Sequence, residues 1–165
     1  VFWTYYGKDG CQFNLWDNHG SDKPVCGGHN KGGEMIRGDY CCPSFDLAYS
    51  ALLEDLSTRG LLDETLVLMM GEFGRSPVIN KDAGRDHWTN VMSMIVAGGG
   101  LPHGQAIGST DRRGGAFNSA VVRPQDLAAT TFRHLGIDLN SHWVDHSGRP
   151  IPIVPEGGRP IPELI

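Results

Sequence analysis

The sequence lacks the features of two large classes of protein. None of its apolar runs approaches the ~20 residues that a membrane-spanning helix needs. It also has no excess of positive charge, since 14 Lys and Arg stand against 19 Asp and Glu. A formal net charge of −5 argues against nucleic acid as a partner, because phosphate backbones select basic surfaces. We therefore predict a protein with no membrane span and no nucleic-acid partner.

Several catalytic and cofactor motifs are missing as well. There is no Gly-x-Ser-x-Gly elbow, so a Ser-His-Asp triad of the α/β-hydrolase type is not indicated. The three glycines at 98–100 lack the spacing of a Gly-x-Gly-x-x-Gly or Walker loop, and they predict a tight turn.

The four cysteines are clustered within the first 42 residues of the chain. No Cys-x-x-Cys pair occurs, which argues against a structural zinc site. Disulfides would need an oxidising compartment and allow three pairings. The sequence leaves disulfides and free thiols equally open for Cys11, Cys26, Cys41 and Cys42.

The residues that are present predict one domain over 1–165, long enough for a hydrophobic core. A helix is expected from Ser44, a possible cap, to about Arg59, with apolar side chains at helical spacing and Gly60 after its end. The apolar run at 66–70 then indicates a strand buried on both faces. Because helix, short loop and buried strand are half of a βαβ unit, we predict a parallel sheet. The other predicted elements are strands at 1–6 and 91–97, a helix from Pro124 to about His134, an irregular Gly- and Cys-rich loop at 21–43, and a Pro-rich extended tail at 148–165.

Polar residues follow the apolar strand directly, in the segment 71–77. It contains Glu72 and Arg75, and in open α/β sheets ligands bind where strands end. A carboxylate at the end of a buried strand is costly unless it is paired or bound to a metal. Arg75 is either its ion-pair partner or a clamp for phosphate or sulfate oxygens, and both interpretations stay open.

Two further stretches carry carboxylates and imidazoles. Asp17 and His19 are two residues apart, so they face the same way if the backbone is extended. Zinc and manganese accept a carboxylate oxygen together with imidazole nitrogen. The alternative is a polar turn, because Asp-x-His alone is a weak signal. Asp86 and His87 form the other stretch, and the alternative interpretation of His87 is a histidine stacked on the aromatic ring of Trp88. We predict that these stretches meet at one polar metal site.

With these residues in view, the chain resembles the C-terminal part of the DUF1501 family, an alkaline-phosphatase/sulfatase-like group. The resemblance implies an α/β fold with a central, mainly parallel sheet flanked by helices and incomplete at the N-terminus. It is specific over most of 44–165 and looser over 1–20. It rests on the segments 16–20, 48–56, 59–65, 71–77, 84–88, 97–100, 124–130 and 148–152.

The resemblance also implies a two-metal site. The ions would be divalent, with zinc favoured over manganese, magnesium or calcium. The first ion would be held by Asp17, His19 and His87, and the second by Glu72, with Asp86 a weaker candidate ligand.

The function implied by the resemblance is hydrolysis of phosphate or sulfate esters, on a small molecule or a polysaccharide. Arg75 would contact the anion in the transition state, and the nucleophile would lie in an N-terminal half outside this chain, so we expect the chain alone to be inactive. The alternative is a non-catalytic binding or structural domain in a surface or extracellular complex. A third interpretation is a metal-free sheet domain with a Glu72–Arg75 ion pair. Family resemblance and the cysteines predict export to the periplasm or the cell exterior, and the oligomeric state stays open.

Overall fold

The computed structural model of the chain describes residues 5–6, 12–13, 16–20, 36–37, 41–155 and 157–165. The predictions for residues 1–4, for most of the 21–43 loop, and for Cys11 and Cys26 lie outside this part. It includes the α-helices α1 (Cys42–Thr58) and α2 (Pro124–His134), residues 36–37 are also helical, and 3-10 turns occupy Leu62–Glu64 and Pro162–Leu164. The strands are β1 (Tyr5–Tyr6), β2 (Gln12–Phe13), β3 (Leu66–Met69), β4 (Gly74–Arg75), β5 (His87–Trp88), β6 (Ile95–Gly98), β7 (Ser109–Thr110), β8 (Phe117–Ser119), β9 (His142–Val144) and β10 (Pro150–Pro152).

The predicted parallel, alkaline-phosphatase-like sheet is wrong. The described strands form five antiparallel pairs, and no sheet in this part of the chain has more than two strands. Parallel neighbours need a crossover, usually a helix. The chain between β3 and β6 instead forms the β4–β5 hairpin, and β6 returns antiparallel with Leu66 opposite Gly98. The predicted burial of β3 on both faces is also wrong, because all four of its residues are half-buried.

The N-cap of helix α1 is Cys41, three residues before the predicted cap Ser44. Ser44 does not cap it, since its hydroxyl donates to the carbonyl of Cys41 at 3.1 Å. Pro43 lies in the first turn, where its fixed φ favours a helix start. The helix ends as expected, with Gly60 at φ +69°. The helical spacing of apolar residues also predicts one buried face, but α1 has no buried residue. Among the apolar positions of that face, only Phe45, Tyr49, Leu53 and Leu56 are half-buried.

Helix α2 has the predicted bounds, and it anchors the Pro-rich tail. Its Asp126 carboxylate accepts the backbone N–H of Arg123 at 2.9 Å, which caps the helix. The same carboxylate accepts the N–H of Arg159 at 3.0 Å. The N–H of Ile161 donates to the hydroxyl of Thr130 at 2.9 Å. Buried apolar side chains gather where tail and helix meet: Ala129, Val154, Ile161 and Leu164.

The cysteine alternatives are decided for two of the four residues. Cys41 and Cys42 carry free thiols, so neither forms a disulfide, and Cys41 is fully buried. Cys41 and Cys42 therefore no longer support the predicted export of the protein. Export itself stays a prediction. No helix in the described part of the chain is both long and apolar enough to span a membrane.

Candidate metal centre

The β4–β5 hairpin places Arg75 directly opposite His87. The hairpin can pack closely because its first strand begins with glycine. A β-carbon on Gly74 would lie 1.8 Å from the carbonyl oxygen of Val91, so no other residue fits without a backbone shift. The indole N–H of Trp88 donates to the carbonyl of Gly115 at 2.8 Å, which fixes the other face of the strand. These contacts hold in place the hairpin that carries His87.

The segment 16–20 joins the loop that precedes β5. Gly20 forms an antiparallel bridge with Ala83, and the N–H of Arg85 donates to the carbonyl of Asn18 at 2.8 Å. Here too glycine permits the approach, since a β-carbon on Gly84 would lie 1.9 Å from the carbonyl carbon of His19. Two stretches more than sixty positions apart in sequence are thus held backbone to backbone.

Three side chains converge where these stretches meet. The Oδ1 atom of Asp17 lies 2.8 Å from Nε2 of His87 and 3.1 Å from Nε2 of His19. The two Nε2 atoms are 3.0 Å apart. The side chains are 40%, 44% and 43% exposed for Asp17, His87 and His19, so solvent and small solutes can reach the group. We call Asp17, His19 and His87 the three-residue cluster.

Arg75 lies against the cluster from the side of β4. Its Nη2 donates to Oδ1 of Asp17 at 2.5 Å, and its guanidinium lies 5.9 Å from the centroid of the Phe73 ring. Partial burial raises the pKa of Asp17, but hydrogen bonds from His87 and Arg75 and the Arg75 charge outweigh it and lower the pKa to about 2. Asp17 is therefore a carboxylate at every pH above about 4.

Asp86 contacts the cluster from outside. Its Oδ1 lies 2.9 Å from Nδ1 of His19, on the opposite edge of the imidazole from the other two cluster members. The hydrogen bond from His19 lowers the pKa of Asp86, and a hydrogen bond from Asn80 adds to this effect. Asp86 is thus an ionised partner of His19.

Glu72 lies elsewhere. It is exposed in the turn before β4, and it is not part of the three-residue cluster, which is the one group of potential metal-binding side chains found among the described residues. The predicted cost of burying its carboxylate does not arise, because β3 is only half-buried and Glu72 faces water. A second ion at Glu72 stays a prediction.

Asn80 also contributes to the site, although the sequence analysis did not predict it as a site residue. Its side-chain oxygen accepts the N–H groups of Asp82 and Gly84 at 3.0 and 2.9 Å, and its side-chain nitrogen reaches His19 and Asp86. The available signal was the Asn-Lys-Asp-Ala-Gly stretch, because Asn side chains often close turns by bonding the backbone two residues on.

A family comparison agrees with the sequence motifs. The model of the family described as "Protein of unknown function (DUF1501)" matches residues 5–165. The chain belongs to the DUF1501 family. No curated protein and no solved structure matches it. The family description carries no activity, so the chemistry of this DUF1501 chain has to be argued from its site.

The cluster fits a divalent metal ion in its donor atoms and spacing. A carboxylate oxygen only accepts hydrogen bonds, so the bond to Asp86 assigns the proton of a neutral His19 to Nδ1. Nε2 then carries no hydrogen and lies 3.1 Å from Oδ1 of Asp17, so both atoms can offer lone pairs to a cation. Tetrahedral zinc with bonds of about 2.0–2.1 Å sets its ligands roughly 3.3 Å apart. The observed separations of 2.8–3.1 Å would need to open only slightly.

Proposed function

We propose that this DUF1501 chain holds one divalent metal ion on Asp17, His19 and His87, and that the site serves the hydrolysis of phosphate or sulfate esters. The observation that carries the proposal is the convergence of one carboxylate oxygen and two imidazole nitrogens within 4.8 Å of one another. The three residues come from two separate segments, so their meeting is a property of the fold rather than of local sequence. An Asp–His pair in a polar turn would not have brought His87 to the same point.

Zinc is the ion that the donor set favours. Two imidazole nitrogens with one carboxylate oxygen suit zinc or manganese, whereas calcium and magnesium prefer oxygen ligands. Three protein ligands leave a coordination position open, as in catalytic rather than structural zinc sites. When bound, the ion would act as a Lewis acid that polarises an ester oxygen.

Arg75 supports the choice of an anionic substrate. Its planar guanidinium is positively charged and matches the oxygens of phosphate and sulfate. The described contacts use two of its five N–H groups, one to Asp17 and one, at 3.5 Å, to the carbonyl of Arg85. Arg75 thus orients Asp17 and adds positive charge where an anion at the cluster would lie.

The nucleophile is not part of this proposal. Within the described part of the chain, no hydroxyl or thiol group hydrogen-bonds to a member of the three-residue cluster. The testable property of this chain is therefore anion binding that depends on the metal, with hydrolysis as a second measurement.

The experiment is calorimetric titration of phenylphosphonate and sulfate into the protein, with and without one equivalent of zinc. We expect binding only in the presence of zinc, its loss in His87→Ala, and no change in His142→Ala, which alters an exposed histidine of β9. Arg75→Gln removes the positive charge and should weaken anion binding about 10- to 100-fold. This is the loss in affinity expected when one hydrogen bond to a charged group is removed. Equal anion affinity with and without zinc would contradict the proposal.

The same samples allow a second measurement, turnover of p-nitrophenyl phosphate or sulfate. Turnover that is lost in His87→Ala would support a hydrolase. Anion binding without turnover is expected of this chain alone under both interpretations, because the nucleophile implied by the family resemblance lies outside it.

A further inference from the structure

We infer that Asp86 is a positioning residue of the metal centre, which holds the His19 imidazole so that Nε2 faces the ion. The inference rests on the proposed metal site and adds to it a residue that acts through His19 rather than on the metal. It also changes the role of Asp86 from the weaker ligand candidate of the sequence prediction.

Asp86 contacts the side of the His19 imidazole that faces away from the cluster. This position argues against Asp86 as a metal ligand. Its Oδ1 is 2.9 Å from Nδ1 of His19, whereas Nε2 of the same ring points to Asp17 and His87 at 3.1 and 3.0 Å. The two ring nitrogens point in diverging directions in the plane of the ring. An ion among the three cluster atoms therefore lies across the ring from Asp86, whose side chain is 59% exposed.

The contact determines the tautomer as well as the orientation. Because a carboxylate can only accept, Nδ1 carries the hydrogen and Nε2 is the free donor atom for a metal. A second hydrogen-bonding partner on a metal-binding histidine commonly fixes its tautomer and raises its basicity, and its removal costs about 10- to 100-fold in metal affinity.

Asn80 holds Asp86 and His19 together. Its Nδ2 donates to the backbone carbonyl of His19 at 2.8 Å and to Oδ1 of Asp86 at 3.2 Å. The amide cannot be turned around, because its oxygen already accepts the backbone N–H groups of Asp82 and Gly84 at 3.0 and 2.9 Å. The Asn80 side chain thus hydrogen-bonds both to the backbone of His19 and to the Asp86 carboxylate that accepts from the His19 ring.

The backbone of Asp86 is held in place by a hydrogen bond of its own. Ser76 donates its N–H to the carbonyl of Asp86 at 2.8 Å, so the backbone of Asp86 is anchored to the end of β4. The carboxylate is therefore aimed at Nδ1 from a fixed backbone, even though its other side faces water.

The test is zinc affinity and stoichiometry in Asp86→Ala and Asp86→Asn, measured by calorimetry. The control is Asp63→Asn, which removes one negative charge from an exposed position in the Leu62–Glu64 turn. We expect Asp86→Ala to keep one binding site and to weaken zinc about 10- to 100-fold relative to the control. Asp86→Asn should lie between them, because its amide oxygen can still accept from Nδ1.

A second readout reports the tautomer directly. Nitrogen-15 NMR of the zinc-free protein at pH 8 should show His19 with its hydrogen on Nδ1, and Asp86→Ala should lose this preference. A purely structural residue would not shift the tautomer.

The outcomes separate this inference from the proposed function. Zinc affinity of Asp86→Ala equal to that of Asp63→Asn, with zinc bound by the unmodified protein, would overturn the inference alone. Loss of the binding site in both Asp86 variants would make Asp86 a ligand and would also overturn it. An unmodified protein that binds no zinc would overturn the proposed function together with the inference.

Discussion

Cys41 is a fully buried thiol beside a half-buried one. Burial raises the pKa of the Cys41 thiol to about 11, and the neighbouring Cys42 adds to the effect. Because the thiolate is the reactive form, a thiol that is both shielded and protonated reacts slowly with alkylating agents. We predict that iodoacetamide at pH 8 modifies Cys42 at least about 100-fold faster than Cys41 in the folded protein.

Tandem mass spectrometry of the tryptic peptide that contains both cysteines would measure this difference. The same reaction in 6 M guanidinium chloride is the control, and there the two residues should react alike. Equal alkylation of both thiols in the folded protein would show that Cys41 is not buried as described.

The residues of the site differ in how far sequence could predict them. Asp17 and His19 could be predicted as candidate ligands because their spacing places both side chains on one side of an extended segment. His87 was found from its motif, but its distance to them depends on contacts between segments more than sixty positions apart. Asn80 was missed because a turn-closing amide has the same local pattern whether or not it also holds an imidazole. Glu72 was expected to be costly to bury because β3, which precedes it, was predicted to be buried on both faces.

Among the elements, α2 was predictable and the sheet was not. Helix α2 has a proline at its start, Gly136 after its end and apolar spacing between them, and all of these signals are local. The direction of β3 against β6 depends on what the intervening 25 residues do, and they form a hairpin rather than a helix. A short apolar run does not carry this information.

Thr130 links α2 to the tail, and its removal should destabilise the protein. Its hydroxyl donates to the carbonyl of Asp126 at 2.7 Å and accepts the N–H of Ile161, and the residue is 3% exposed. Thr130→Val keeps the shape but leaves the N–H of Ile161 buried without a partner. We expect a loss of about 1–3 kcal/mol in the free energy of unfolding, measured by urea denaturation.

The neighbouring Thr131 supplies the matched control. Its hydroxyl also donates to a carbonyl four residues earlier, at 2.9 Å from Leu127, but no described contact shows it accepting a tail N–H. Thr131→Val should therefore cost less than ~1 kcal/mol. Equal losses in the two variants would contradict the role of Thr130 as the acceptor for the tail.

At the scale of the molecule, the site depends on the union of the segment 16–20 with the β4–β5 hairpin and the loop before it. Gly20 and Gly84 permit that union, and the Gly20–Ala83 bridge completes it. A metal ion bound by both segments would stabilise the folded state further, because a ligand that binds only the native protein raises the free energy of unfolding by an amount that grows with its free concentration relative to Kd. The metal site and the long-range packing around it should accordingly form together.

The measurement that tests this account most directly is zinc stoichiometry, determined by calorimetric titration and checked by inductively coupled plasma mass spectrometry. We predict one zinc ion per chain in the unmodified protein and in His142→Ala, and none in His19→Ala or His87→Ala. No bound zinc in the unmodified protein, or full stoichiometry in either cluster variant, would contradict the metal centre.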